Sequence, residues 1–282
     1  MSGCERSLPR VVACMPAWNS EKFIEKTLQS LAAQTYGNLE LLISDDASSD
    51  RTASICQEFA RTHDRVRYIR QPRRLGWIGN VNSLLRIAQG DYLFFAFHDD
   101  PLRPSYVERL VDALERHPYA VLAFADVEAH GRLRAFTALD GVQDRAERAR
   151  RMLTGQDWWV PNRGLFRAGA ALQLRGMRRH IAGEFAADWP WLLRLTLLGE
   201  FVRVPEPLVT KVWLKEGLTR VWRHSRWQKF GVSLACAAVI RNAGFPPSEE
   251  VELYSHLVVP PAKRLWWRLH GHVKNLSRAT NR

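Results

Sequence analysis

The chain has 282 residues, 46% of them hydrophobic and 25% charged, a composition that excludes a disordered polypeptide and suffices for one large domain or one and a half ordinary ones. No run reaches the ~18 uncharged apolar residues of a membrane span, and the first residues lack the apolar segment of a secretory signal, so we expect a cytoplasmic protein. Four scattered cysteines, with no C-x-x-C pair, predict reduced thiols rather than disulfides or a zinc site.

The net charge of +12 is concentrated toward the C-terminus. Residues 1–100 carry 12 Lys or Arg and 12 Asp or Glu, whereas residues 211–282 carry 13 Lys or Arg and 4 Asp or Glu. A neutral body with a basic end predicts that this end contacts an anionic surface.

Strand and helix patterns alternate through the first half of the chain. The apolar runs "RVVACMPA", "LELLISDD", "RVRYIRQ" and "YLFFAF" predict four strands. Between them "SEKFIEKTLQSLAAQ", with Ser20 as its predicted N-cap, "SSDRTASICQEFARTH" and "GNVNSLLRIAQG" predict helices. Strands separated by helices of about 10–15 residues indicate an α/β fold with a doubly wound, mostly parallel, Rossmann-like sheet.

The second half continues the alternation. "SYVERLVDALERH" predicts a helix, "AVLAFADVEAH" a strand and "DWPWLLRLTLLG" a further helix. "EFVRVPEPLVTKVW" predicts a pair of strands, because Pro205 and Pro207 interrupt its pattern. Beyond about residue 215 the chain is predicted to be helical, with a buried helix over residues 230–240.

Polar clusters follow three of the predicted strands: "PAWN", "DDASSD" and "HDD" stand after the first, the second and the fourth. In an open parallel sheet, ligands bind outside the carboxyl ends of the strands. We therefore expect all three clusters at one rim of the sheet, where they would form a ligand site.

Three ordered blocks, "PAWNSEKFIEKTLQSLAAQTYGNLELLISDDASSDRT", "LGWIGNVNSLLRIAQGDYLFFAFHDD" and "ADWPWLLRLTLLGEFVRVPEPL", resemble the inverting nucleotide-sugar glycosyltransferases of family 2. The resemblance covers roughly residues 10–215 and implies the GT-A fold. It implies a catalytic domain over residues 1–215, with a donor half of about 1–125 and an acceptor half of about 126–215. Residues 216–282 would be a helical, basic C-terminal extension.

The first two blocks imply the donor site. Trp18 offers a flat ring for a nucleobase to stack on, or else is a core side chain at a strand end. Asp46 matches the family's second acid of "DDxSxD", which implies a bond to the imide N–H of uracil and a uridine- or thymidine-type donor; a helix cap is the alternative. Val81 stands where the family often has Arg. The expected nucleotide-sugar site comprises Pro16, Ala17, Trp18, Glu21, Asp46, Asn80 and Asp99.

Asp99 and Asp100 are the predicted ligands of a Mg²⁺ or Mn²⁺ cofactor. Such a hard cation often takes one or two carboxylates and completes its shell with phosphates and water. Phe97, which replaces the first acid of an Asp-x-Asp pair, is therefore compatible with the site. His98 is expected to hydrogen-bond at the rim rather than to bind the metal.

Asp188 is the predicted general base, since inversion by single displacement needs a carboxylate that takes the proton of the acceptor hydroxyl. The resemblance places the base at this position, ahead of "WPWLLRL"; an acid stabilised by the dipole of its helix is the alternative. Glu184 is the second choice. The segment 161–177 resembles the family's acceptor-facing segment, with Phe166 and Arg167 as its aromatic–arginine pair.

The basic end holds two notable stretches. Residues 260–278, "PPAKRLWWRLHGHVKNLSR", predict a helix with one apolar stripe and a basic remainder, which lies either on an anionic membrane or on the protein itself. "RHSRW" resembles the Gln-x-x-Arg-Trp element of processive synthases, but Arg223 replaces the Gln, so we do not predict processivity.

The resemblance implies an enzyme that moves a sugar from a UDP- or dTDP-type donor to a saccharide or lipid-linked saccharide, in the synthesis of cell-surface glycans. It would act in the cytoplasm or on the cytosolic face of the membrane. The alternatives are a polyprenyl-phosphate glycosyl synthase and a non-catalytic nucleotide-sugar-binding protein. A nucleic-acid partner is not expected, because the first 100 residues are neutral and carry no recognised nucleic-acid motif.

Overall fold

The computed structural model describes residues 7–212 and 224–257 of the chain. Their strands are β1 (Val11–Ala17), β2 (Leu39–Asp45), β3 (Val66–Arg70), β4 (Tyr92–Phe95), β5 (Ala120–Ala129), β6 (Arg132–Arg134), β7 (Leu165–Arg167) and β8 (Glu200–Lys211). Their α-helices are α1 (Ile24–Ala32), α2 (Thr52–Thr62), α3 (Trp77–Ile87), α4 (Tyr106–Arg116), α5 (Arg145–Thr154), α6 (Ala168–Leu174), α7 (Asp188–Leu198), α8 (Arg226–Arg241) and α9 (Pro247–Leu257). Two 3₁₀ turns, Thr137–Leu139 and Val160–Arg163, complete these elements.

The eight strands form one sheet in the order β3-β2-β1-β4-β7-β5-β6, with β8 paired to β5. Strands β1 to β4 are mutually parallel, and β5 and β8 are parallel to each other. Strand β7 is antiparallel to both β4 and β5, so β5 and β8 run in the same direction as β4. The predicted mostly parallel α/β sheet is confirmed, with β7 inserted in the opposite direction.

Helices on both faces bury the central strands. Val11, Val12, Ala13, Cys14 and Met15 of β1 are all fully buried. A parallel strand that is covered on both faces has a continuous apolar sequence rather than an alternating one, which is why "VVACM" contains no polar residue.

Two predicted element boundaries were wrong. Helix α1 begins at Ile24 rather than just after Ser20, whose carbonyl oxygen accepts the N–H of Ile24 at 3.0 Å in a preceding turn. The predicted strand pair is the single strand β8, and its register with β5 shifts opposite Pro205 and Pro207. Proline has no N–H to donate, so the strand tolerates both residues at an irregularity instead of ending there.

The C-terminal part is helical where the structure describes it, as predicted. Ser225 and Gln228 form a capping box at the start of α8, and Val232, Cys236 and Ile240 are buried on one face of that helix. The opposite face is exposed, so this helix is buried on one side only. The helix predicted over 260–278 lies outside the described residues. Within 7–212 and 224–257, no helix is long and apolar enough to cross a membrane.

Candidate active site

Five elements meet at the rim formed by the carboxyl ends of the parallel strands. Strands β1, β2 and β4 lead into the three predicted polar clusters, as expected. Strand β8 runs in the same direction and ends there with Lys211. Strand β7 runs in the opposite direction, so the turn Val160–Arg163 that precedes it also lies at this rim.

Trp18 is half-buried directly after β1. The guanidinium carbon of Arg74 lies 3.5 Å from the centroid of its ring, a cation–π contact that covers one face. A nucleobase would therefore have to stack on the opposite face of Trp18 or displace Arg74.

Asp46 holds the loop that crosses this end of the sheet. Its two carboxylate oxygens accept the backbone N–H groups of Leu75 at 2.6 Å and Gly76 at 3.0 Å, and its side chain is buried. Burial raises the pKa of Asp46 above its ordinary value, against the opposing effect of these two bonds and of Arg74. A nucleobase bond to Asp46 would use a second lone pair or require this loop to move.

Glu184 holds the same loop from the opposite side. Its carboxylate accepts the N–H of Trp77 at 3.1 Å and Nε of Arg179 at 2.8 Å, and Arg179 donates to the carbonyl oxygen of Leu75 at 2.8 Å. Gly76 lies between them with φ = 79°, and a Cβ there would stand 2.8 Å from the Glu184 carboxylate. The second-choice base is thus engaged in fixing the loop.

The other residues of the predicted nucleotide-sugar site form hydrogen bonds that connect neighbouring strand ends. The amide of Asn80 is buried; its Nδ2 donates to the Ser44 carbonyl oxygen at 2.9 Å and its Oδ1 accepts from Ser44 Oγ. Glu21 accepts the N–H of Arg51 at 3.0 Å. His98 contacts the carbonyl oxygen of Pro16 through Nδ1 at 3.3 Å. These bonds shape the rim, and direct contact of Pro16, Ala17, Glu21 or Asn80 with a nucleotide stays a prediction.

Asp99 and Asp100 are already paired with protein cations. Nζ of Lys211 lies 2.9 Å from Asp99 Oδ2 and 3.0 Å from Asp100 Oδ1, and Nε of Arg163 lies 2.6 Å from Asp100 Oδ2. Burial would raise the pKa of Asp99, but the charges of Lys211, His98 and Arg163 outweigh it and hold that pKa below its ordinary value. The carboxylate of Asp99 is therefore ionised at neutral pH.

The carboxylate of Asp99 is a suitable ligand for a hard divalent cation. One of its carboxylate oxygens, Oδ1, accepts no hydrogen bond from the described residues, and its side chain is 16% exposed. Asp100 is 2% exposed and each of its oxygens already accepts a hydrogen bond, so it is less accessible to a cation than Asp99. Within the described ranges, no group of three or more His, Cys, Asp or Glu side chains is arranged to hold a metal ion, so such a cation would need ligand and water oxygens to complete its shell.

Phe97 forms part of an apolar wall beside these acids. Its ring meets that of Trp77 edge-on, with centroids 6.5 Å apart, and the Arg163 guanidinium carbon lies 5.1 Å from its centroid. An aromatic ring thus packs where an Asp-x-Asp pair would have its first carboxylate.

Asp188 is the first residue of α7 and is half-buried. Nδ2 of Asn162 donates to its Oδ2 at 2.9 Å. Burial raises the pKa of Asp188 from 3.8 to about 6, while its own backbone N–H, the charge of Arg163 and the N–H of Trp189 act in the opposite direction. The carboxylate is therefore ionised at neutral pH yet basic enough to take a proton.

Three rim residues had no predicted role of their own: Lys211, and Asn162 and Arg163 within the segment 161–177 that was expected to face the acceptor. The parallel-strand rule could have found Lys211, which ends a strand. The other two depend on the reversed direction of β7. The same reversal corrects the prediction for Phe166 and Arg167: Phe166 is buried, and Arg167 donates to the carbonyl oxygens of Ala120 and Leu114 at the opposite end of the sheet.

The sequence and the fold both have known relatives. Residues 12–168, more than half of the chain, match the family model described as glycosyl transferase family 2. A relative from Campylobacter jejuni, GalNAc(5)-diNAcBac-PP-undecaprenol beta-1,3-glucosyltransferase, is 30% identical over 127 residues, which are 45% of this chain and 41% of that protein. The chain thus spans less than half the length of this curated relative.

Two solved structures share the fold. S. aureus TarS 1-349 in complex with UDP-GlcNAc matches with a TM-score of 0.72 at 17% identity, over 88% of this chain and 71% of that one. The mannosyltransferase PcManGT from Pyrobaculum calidifontis, in complex with GDP-Man and Mn²⁺, matches with a TM-score of 0.55 at 16% identity, over 96% and 88%. At such identities the likeness establishes the fold.

Proposed function

Because this chain belongs to glycosyl transferase family 2 and has the GT-A fold, we propose that it transfers a sugar from a nucleoside-diphosphate donor to an acceptor hydroxyl group, with inversion at the anomeric carbon. The observation that carries the proposal is the carboxylate of Asp188, which is half-buried, has a raised pKa and lies on the same rim as Asp99 and Asp100. We assign residues 1–215 to catalysis, with donor and acceptor halves that divide near residue 125, and residues 216–282 to a C-terminal extension.

Asp188 acts as the general base. Its carboxylate takes the proton as the acceptor O–H bond breaks, and the oxygen forms a bond to the anomeric carbon. The bond from that carbon to the diphosphate breaks at the same time, and its electron pair leaves with the diphosphate. A carboxylate with a pKa of about 6 remains ionised at pH 7 and is a stronger base than an ordinary Asp.

The donor nucleotide lies along the ends of β1 and β2. Its base stacks on Trp18, and Asp46 accepts its imide N–H, which favours a uridine or thymidine nucleotide. Pro16, Ala17, Glu21 and Asn80 shape this pocket. Among the structural neighbours, TarS is in complex with UDP-GlcNAc and PcManGT with GDP-Man, so the choice of base is an assignment that a binding screen must test.

Asp99 would hold a Mg²⁺ or Mn²⁺ ion, with Asp100 beside it. When bound, this cation would act as a Lewis acid on the diphosphate. Asp99 has one carboxylate oxygen that accepts no bond from the described residues, whereas Lys211 and Arg163 hold both oxygens of Asp100. Asp99→Asn should therefore abolish the effect of Mn²⁺ on UDP binding, and Asp100→Asn should weaken it less. The reverse order would overturn the assignment.

The acceptor is a saccharide or a lipid-linked saccharide of a cell-surface glycan. The name of the C. jejuni relative includes an undecaprenol-linked glycan, which supports a lipid-linked acceptor for this chain. Such an acceptor lies at a membrane surface, and the chain carries 13 Lys or Arg against 4 Asp or Glu after residue 210.

An exposed apolar face of α8 supports contact with an anionic membrane. Trp227, Phe230 and Leu234 are 56%, 55% and 44% exposed, lie on one face of the helix, and have exposed Arg226 and Lys229 beside them. Aromatic side chains flanked by basic ones are typical of helices at the surface of anionic lipid bilayers. We assign this face, together with residues 260–278, to that contact.

A thermal-shift screen tests the donor assignment. Ligands that bind only the folded state raise its stability, so UDP-, dTDP- and GDP-sugars should be compared with and without Mn²⁺. The largest shift is expected for a UDP- or dTDP-sugar with Mn²⁺. Binding without turnover on any acceptor would favour a non-catalytic protein. Full activity of Asp188→Asn would favour a polyprenyl-phosphate glycosyl synthase, whose phosphate acceptor needs no base.

A further inference from the structure

The amide of Asn162 is buried beside Asp188 and only half of it is satisfied. The residue is 5% exposed, and its Nδ2 donates to Asp188 Oδ2 at 2.9 Å. Its Oδ1 is buried without a hydrogen-bond partner among the described residues. Most buried polar atoms in folded proteins have such a partner, so this oxygen calls for an explanation.

The backbone that carries Asn162 is held on both sides. The N–H of Asn162 donates to the carbonyl oxygen of Trp159 at 3.2 Å. The next residue, Arg163, donates to Asp100 at 2.6 Å and to the Trp159 carbonyl oxygen at 3.1 Å. The turn therefore fixes the position of the Asn162 side chain and leaves rotation of its amide as its main freedom.

The two ends of an amide suit the two protonation states of a carboxyl group. An ionised carboxylate only accepts hydrogen bonds, whereas a protonated one has an O–H to donate. The Asn162 N–H end can bond the carboxylate, and its carbonyl end can bond the acid. Asn162 Oδ1 has no hydrogen-bond partner in the described chain, so a rotation of the amide breaks only the bond from Nδ2 to Asp188 Oδ2. A bond between Oδ1 and the protonated Asp188 then takes its place.

We propose that Asn162 is the positioning residue of the base and that the orientation of its amide follows the protonation of Asp188. With Asp188 ionised, the amide N–H holds Oδ2 and leaves the other oxygen, Oδ1, for the acceptor hydroxyl. With a proton on Oδ2, the amide turns over and its carbonyl oxygen accepts a hydrogen bond from that O–H group. This inference rests on the proposed function for its catalytic meaning, but the rotation does not depend on turnover.

The charged groups around α7 leave Asp188 as the titrating partner of Asn162. Arg163 acts on Asp188 and is itself bound to Asp100. Glu184 is bound to Arg179 and to the N–H of Trp77. The other charged side chains on the helices packed against α7 are bound elsewhere or exposed. On α5, Arg145 donates to the Ala243 carbonyl oxygen, Arg148 donates to the Thr196 carbonyl oxygen, and Arg150 and Arg151 donate to Glu147. On α8, Arg241 lies 3.6 Å from Glu250, and Arg226 and Lys229 are exposed.

The side-chain ¹⁵N–H₂ signals of the full-length protein, labelled on asparagine, test the proposal. The signal of Asn162 is assigned by its loss in Asn162→Leu and followed from pH 5 to pH 8. We expect it to shift with a midpoint near pH 6, the pKa of Asp188, and to stay constant in Asp188→Asn. Asn82 is the internal control, because its Nδ2 and Oδ1 bond the backbone O and N of Met177, both at 2.9 Å.

The pH dependence of kcat/KM provides a second readout. Loss of the N–H donor destabilises the ionised carboxylate, so Asn162→Leu should move the acidic limb upward by about one pH unit while leaving the Kd for UDP unchanged. If Asn162 only packed against the turn, Asn162→Leu would leave the acidic limb of the kcat/KM profile at its wild-type pH. A flat Asn162 signal, or the same shift in Asp188→Asn, would overturn the proposal. Failure of the proposed function would appear separately, as no turnover with the titration intact.

Discussion

Nζ of Lys211 lies 2.9 Å from Oδ2 of Asp99, so a protein ammonium group already contacts the carboxylate that we assign to the divalent cation. The same ammonium group reaches Asp100. Lys211 therefore offsets part of the negative charge of the acidic pair, as Arg163 does at Asp100, and a bound cation would share these oxygens with Lys211 or displace it.

Replacing Lys211 with Met should strengthen binding of Mn²⁺ to the UDP complex by roughly tenfold, because a competing positive charge within about 4 Å is removed. Without metal, the variant should lose about 1–3 kcal/mol of unfolding free energy, since both carboxylates lose a charged hydrogen-bond donor. Isothermal titration calorimetry and urea unfolding measure the two effects. Lys229→Met is the matched control, because Lys229 is exposed on α8. Weaker Mn²⁺ binding would mean that Lys211 organises the site rather than competes for it.

Asp188→Asn should stabilise the protein at neutral pH. The folded-state pKa of about 6 lies above the ordinary 3.8, so the folded protein is destabilised by ionising Asp188 and recovers stability as pH falls from 6 toward 3.8. The variant lacks this dependence. It should be about 2 kcal/mol more stable than the wild type at pH 7.5 and no more stable at pH 4.

Urea unfolding at the two pH values measures this difference. Asp112→Asn is the control, since Asp112 forms an exposed ion pair on α4. A pH-independent difference for Asp188→Asn would show that burial does not raise the pKa of this carboxyl group.

Trp18→Ala should raise the Kd for UDP about tenfold, because stacking of a base on an aromatic ring contributes about 1–3 kcal/mol. Trp18→Phe should retain most of the affinity. Fluorescence or calorimetric titration measures both, with Tyr119→Ala as a control, since Tyr119 is an aromatic residue that is 81% exposed. Equal affinities for the wild type and Trp18→Ala would place the base elsewhere.

Much of the fold and part of the rim were predictable because they rest on local patterns. The continuous apolar run of β1 predicted a strand of a mostly parallel sheet, and the rule for the ends of parallel strands brought Trp18, Asp46 and Asp99 to one rim. The bond partners of Asp46 were not predictable. They come from backbone N–H groups of Leu75 and Gly76, whose path across the sheet is set by contacts with Glu184 and Arg179.

Non-local geometry accounts for the remaining errors. "NRGLFR" has no sequence feature that marks β7 as antiparallel, yet this direction brings Asn162 and Arg163 to the rim and sends Arg167 to the opposite end. Likewise, proline usually interrupts a strand. Only the pairing of β8 with β5 on both sides of Pro205 and Pro207 shows that this strand continues.

The exposed face of α8 should bind vesicles that contain anionic phospholipid and not vesicles of neutral lipid, and salt should weaken the binding. Trp227→Ala combined with Phe230→Ala should reduce the fraction that sediments with the vesicles several-fold. Tyr119→Ala is the control for exposed aromatic residues. Unchanged vesicle binding by the double variant would place the membrane contact in another part of the chain. If the protein bound no vesicles but formed concentration-dependent dimers, this face would instead be a contact between copies.

The central claim is that Asp188 removes the proton of an acceptor hydroxyl. The most direct measurement is the transfer rate of the wild type and of Asp188→Asn with the donor found in the binding screen, with the anomeric configuration of the product read by NMR. We predict an inverted product and a kcat lower by about 10²–10⁴ in the variant, with the Kd for UDP unchanged. A variant that transfers sugar at the wild-type rate, or a product with retained configuration, would contradict the claim.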